Sequence, residues 1–239
     1  MKRLLFILLI SISCFAQFIG TVGSASVSIP CVTPDNGDEF DEGFLGTGYE
    51  NTWADSGDGG CNPDFTLSGS PNIDCCTEGL NVIANETAAY IRWDKGSEID
   101  LDADSANIVA YIYFDSVVLD VGEGGAIIWQ STSSLEQVCG GLFLRNDGGT
   151  YKVYIEAGGG DSDMTAFSED TWYKFKIHYD NTRANSYLQI DDGTKLPFTR
   201  LDNPMQKISL GAYGVNWGSG ESADIEIGYI YLDTPGQTK

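Results

Sequence analysis

The chain has 239 residues and a formal net charge of −22, with 35 acidic against 13 basic side chains. A surface this acidic repels nucleic acid and anionic lipid headgroups, so neither is expected as a partner. Its 42% hydrophobic and 12% aromatic residues suffice for one sizeable core.

In chain order, Lys2 and Arg3 precede an apolar run from Leu4 to Phe15, with small residues following at Ala16 and Ala25. This reads as a secretory signal peptide over residues 1–25, cleaved after Ala16 or Ala25. Residues 26–239 then form a single domain, secreted or held at the cell surface, with no membrane insertion once the leader is removed. A retained anchor is the rival reading, and Ser11, Ser13 and Gln17 interrupt the run against it. Export makes Cys31, Cys61, Cys75, Cys76 and Cys139 disulfide candidates. Their odd number leaves one thiol free or available for an intermolecular disulfide. A bridge from Cys61 to Cys75 or Cys76 would staple a long acidic loop region at about 45–78. Zinc is disfavoured, because the chain has no CxxC pair and a single histidine.

From Leu80 onward short alternating segments follow one another: 80–83, 88–93, 107–114, 126–129, 142–145, 151–155, 172–179, 187–190, 207–210 and 224–232. Turn signals such as Asn146-Asp147-Gly148-Gly149 separate them, and no segment carries a helical period. The clearest is DTWYKFKIHYDNTRANSYLQIDDG, from Asp170 to Gly193, a β-hairpin by pattern. Tyr173, Phe175, Ile177 and Tyr179 share its core face, and Trp172, Lys174, Lys176 and His178 the other.

This hairpin, together with EGFLGTGYENTW (Glu42 to Trp53) and ADIEIGYIYLD (Ala223 to Asp233), resembles the concanavalin A-like lectin and glucanase superfamily, the laminin-G-type jelly rolls. The resemblance implies an all-β, two-sheet antiparallel β-sandwich in which Glu42–Trp53 is the opening strand and Ala223–Asp233 pairs beside it. It also implies that no cofactor is needed, while a structural calcium ion has a place where first and last strands meet. Glu42 would be one ligand, although Gly228 falls where the last strand often carries an aspartate.

The same likeness bears on chemistry. Glu98, Asp100 and Asp102 in GSEIDLDAD resemble the catalytic strand of laminarinase- and lichenase-type glycosidases, with Asp102 in place of the second glutamate. A retaining mechanism wants its two carboxyl groups about 5–5.5 Å apart, and the shorter aspartate weakens that reach. These acids read first as solvated loop residues. Asp100, Asp102 and Asp104 open like a calcium loop, but Ser105 and Tyr111 break the pattern. No nucleophile elbow accompanies His178.

Aromatic side chains on mixed strand faces suit sugars, whose C–H-rich faces pack on rings. Tyr111, Tyr113, Trp129, Arg145, Tyr154, Glu156 and His178 are the candidates for one concave sheet, with Trp217 as a rim contact. The expected function is a secreted, non-catalytic carbohydrate-binding or adhesion domain whose partner is a polysaccharide or glycoconjugate, neutral by charge. The alternatives are an extracellular glycoside hydrolase using Glu98 and Asp102, and a structural cell-surface component.

Overall fold

The computed structural model describes residues 37–38, 53–55, 64–68, 79–85, 89–131, 138–213 and 220–233. The signal peptide, Glu42, Cys31, Cys61, Cys75, Cys76 and Trp217 lie outside the described residues.

The elements in order are β1 (Gly37–Asp38), β2 (Trp53–Asp55), β3 (Asp64–Ser68), β4 (Gly79–Asn85), β5 (Ala89–Ile99), β6 (Ala106–Val118), β7 (Gly124–Ser131), β8 (Val138–Asp147), β9 (Thr150–Glu156), β10 (Thr165–Ala166), β11 (Thr171–Tyr179), β12 (Ser186–Ile190), β13 (Lys195–Phe198), β14 (Met205–Tyr213) and β15 (Ser222–Asp233). One 3₁₀ turn, Arg183–Asn185, sits in the β11–β12 loop. The first sheet runs β13-β12-β11-β6-β15-β4-β3, with β1 also on β15. The second runs β10-β9-β8-β7-β14-β5-β2. All pairings are antiparallel, which is the β-sandwich expected.

Period-2 alternation explains why each strand forms where it does. In β6, Ala106, Ile108, Ala110, Ile112 and Phe114 are fully buried between the sheets, while Asn107 and Tyr113 on the alternate face are partly exposed. The hairpin behaves as read: Phe175, Ile177 and Tyr179 are buried, and Trp172, Lys174, Lys176 and His178 are half-buried on the outer face. The second sheet contributes Ile128, Leu142, Leu144, Val153, Ile155, Ile208 and Leu210 to the same core.

The N-terminal expectations need correction. β2 and β3 fall inside the segment read as a loop at about 45–78, with β3 closing the edge of the first sheet. The strand beside the second half of β15 is β1, where Gly37 opposes Tyr231, and residues 42–52 of the expected opening strand lie outside the described residues. Trp53 opens β2 in the other sheet, opposite Trp93. Few apolar residues mark these short edge strands, so their pairing is set by neighbours distant in sequence.

One end of the sandwich is clasped by Arg200, 1% exposed. Its Nε donates to the Asp180 carbonyl (2.8 Å), Nη1 to that of Leu201 (2.9 Å), and Nη2 to that of Leu101 (2.6 Å) and to Asp102 Oδ1. Three loops, β5–β6, β11–β12 and β13–β14, are thereby tied to one guanidinium.

Candidate functional site

The outer face of the second sheet carries a compact set of rings and charges. β7, β8 and β9 are in register so that Ala126 opposes Phe143, which opposes Tyr154; in the next row Trp129 opposes Gly141, which opposes Glu156. Residues opposite one another share a face, so these side chains lie together away from the core. Trp129 and Ala126 are buried and pack with Phe143, and the Phe143 and Tyr154 rings lie 5.9 Å apart at 44°. Gly141 makes this closeness possible. A Cβ there would stand 2.9 Å from the Ile128 carbonyl and 3.0 Å from Trp129 Cβ.

Trp129 and Tyr154 are each 6% exposed, so they form a floor rather than a presented platform. The groups left to meet a ligand are half-buried Phe143 and Arg145 and exposed Glu156. The Tyr154 hydroxyl donates to Glu156 Oε2 at 3.0 Å. Burial first, then the Glu156 charge, pushes that phenol up to about 12. It therefore holds its proton at neutral pH. Arg145 Nε is buried without a hydrogen-bond partner, and the guanidinium makes no ion pair among the described residues. Its register neighbour Lys152 is committed to Asp147.

The single concave sheet expected for the candidates divides into two. Trp129, Arg145, Tyr154 and Glu156 meet as described, but Tyr111, Tyr113 and His178 lie on the outer face of the first sheet, on the far side of the sandwich. Tyr111 is 2% exposed, and burial pushes its phenol up to about 12. His178 lies with Nδ1 2.8 Å from Asn107 Oδ1 and Nε2 3.2 Å from Asp180 Oδ2, its ring 4.7 Å from that of Tyr187. The second sheet's face therefore has no imidazole, His178 being the chain's one histidine.

The paired-acid expectation is also corrected. Glu98 lies in β5, whereas Asp100 and Asp102 lie in the turn after it, so the three do not share one strand face. Asp100 Oδ1 accepts the Asp102 amide at 3.0 Å, capping the turn. Arg183 and then Arg200 hold the Asp102 carboxyl far below the usual carboxylate range. A group so firmly ionised is no proton donor, and its partners make it part of the loop clasp. No group of three or more candidate metal ligands occurs among the described residues, and Glu42 lies outside them.

Phe143 and Gly141 were missed in the sequence, although GGLFLR alternates in a way that puts Phe143 beside Arg145 on one face. Glu226 was missed too. An acid between Ile225 and Ile227 is the visible signal.

No protein-family model and no curated protein matches the chain. Among solved structures it is similar to a cellulose-induced protein (12% identity, TM-score 0.57, covering 82% of this chain and 96% of that one). It is also similar to the globular domain of T. cruzi calreticulin (11%, 0.55, 76% and 83%). A third is the marine alginate lyase of polysaccharide lyase family 7 from Zobellia galactanivorans (13%, 0.52, 77% and 95%). At such identities the likeness is one of architecture, and the chain has the concanavalin A-like jelly-roll fold.

Proposed function

We propose that the chain is an exported, non-catalytic polysaccharide-binding domain that holds a carboxylated glycan on the outer face of its second sheet. The observation behind this reading is Arg145. A half-buried guanidinium with an orphaned Nε, beside the Phe143 and Tyr154 rings, is suited to a planar carboxylate presented by a sugar. No acid among the described residues forms an ion pair with it, which leaves the guanidinium a charge to offer a ligand. Although the overall charge favours neutral glycans, the local chemistry at Arg145 favours an acidic one. An alginate lyase among the proteins of similar fold is consistent with a polysaccharide partner.

Two features favour binding over catalysis. Tyr154 keeps its proton at neutral pH and so is no base there, and Asp102 is held ionised between Arg183 and Arg200 and so is no acid. Affinity electrophoresis through gels containing alginate, polygalacturonate or laminarin tests the reading. Retardation by a polyuronate, weakened about tenfold or more in Arg145→Ala, is expected. Equal retardation by laminarin, unchanged retardation in Arg145→Ala, or release of oligosaccharides by the purified protein would overturn it.

A further inference from the structure

On the opposite side of the sandwich, the outer face of the first sheet carries a row in which β15 Glu226 opposes β6 Tyr113, which opposes β11 Trp172. Two polar groups in this row make no hydrogen bond among the described residues. Glu226 is 3% exposed, and its carboxylate accepts no hydrogen bond among the described residues. Trp172 Nε1 is buried with no acceptor. Buried polar atoms are paired in the great majority of cases, so an orphaned indole N–H in the same row as a nearly buried carboxylate requires an explanation.

The surroundings define what would satisfy them. A bulge in the β15–β6 pairing leaves Asp115 unopposed, since Asp224 pairs with Ser116 and Ile225 with Phe114. Asp115 and Asp224 are close enough to act electrostatically on Glu226. Asp170 Oδ1 accepts the Tyr113 hydroxyl at 3.2 Å, and Asp115 and Asp170 are exposed, opening the row to solvent. Lys174, next along β11, is held by Asp192 at 3.1 Å. The Tyr113 and Trp172 rings lie 5.4 Å apart at 47°.

An anion is excluded here by charge. A bare cation would satisfy Glu226 but leave the Trp172 N–H without an acceptor. We infer that the Glu226–Tyr113–Trp172 row is a second binding site, for a primary ammonium group carried next to a hydroxyl oxygen. The ammonium donates to Glu226 and lies against the two rings, while the hydroxyl oxygen accepts from Trp172 Nε1. Amino sugars and simple amino alcohols share this chemistry.

The Trp172 indole N–H signal in a ¹⁵N-labelled sample reports on the site directly. Ethanolamine at pH 8 and physiological salt should move that resonance saturably, whereas ethylene glycol, its uncharged counterpart, should not. Glucosamine titrated at pH 7 beside N-acetylglucosamine shows whether an amino sugar is accepted. Glu226→Gln should weaken ethanolamine binding about tenfold or more. Asp163→Asn, a charge-matched change at an exposed residue elsewhere, should leave it unchanged. Should Glu226→Gln fail to fold, Trp172→Phe keeps a ring, removes the donor and is read by calorimetry as weaker binding. No saturable shift, an equal response to ethylene glycol, or binding indifferent to both substitutions would overturn the proposal.

Discussion

Replacing Arg200 with methionine keeps most of its aliphatic packing and removes the guanidinium that ties three loops together. Three bonds to loop carbonyls are lost, those to Asp180, Leu201 and Leu101 at 2.8, 2.9 and 2.6 Å. At about 1 kcal/mol net for each bond, the loss is about 3 kcal/mol. The contact to Asp102 is left out of the sum, because that carboxylate is substantially exposed and water replaces its partner. For a domain of this length, 1 kcal/mol corresponds to roughly 2–4 °C, so a fall in Tm of about 6–12 °C is expected by differential scanning calorimetry. Arg200→Lys should recover little, since one ammonium cannot span acceptors in three loops. A methionine variant melting within about 2 °C of wild type would show that the loops at this end are held by other contacts.

Two further expectations concern stability. Burial, followed by the charges of Asp224 and Asp115, raises Glu226 to about 7. A carboxyl raised on folding favours the protonated folded state, so its contribution is full below the unfolded value near 4.5 and declines as pH rises toward 7. Glu226→Gln should therefore be more stable than wild type at pH 8 by about 2 kcal/mol and lose that advantage near pH 4, as read by urea unfolding at the two pH values. A pH-independent difference would refute the assignment. In the core, the Tyr179 hydroxyl donates to Gln130 Oε1, and both residues are fully buried. Tyr179→Phe should cost about 1–3 kcal/mol by stranding the amide, and adding Gln130→Leu should restore much of it in a double-mutant cycle. Additive losses would refute the coupling.

The strands from Leu80 onward were legible because alternation is local: one residue in two meets the core, and the pattern of β6 or β11 states which one. The same alternation marked Trp129, Arg145, Tyr154 and Glu156 as outward-facing, and they do meet. What alternation cannot carry is which sheet a strand joins. Tyr111, Tyr113 and His178 obey the same rule as Trp129, yet lie on the opposite side of the sandwich because β11 pairs with β6 and β6 with β15, while β9, β8 and β7 pair in succession and β7 pairs with β14. That choice is made by contacts between segments far apart in the chain. The role of Asp102 was hidden for the same reason. Its carboxylate is set by Arg183 and Arg200, each more than eighty residues away, and only the closing of both sheets brings them to it. Glu226 shows both halves of the lesson. Its placement in an apolar strand was readable, whereas its burial beside the facing Tyr113 and Trp172 exists only once three strands lie side by side.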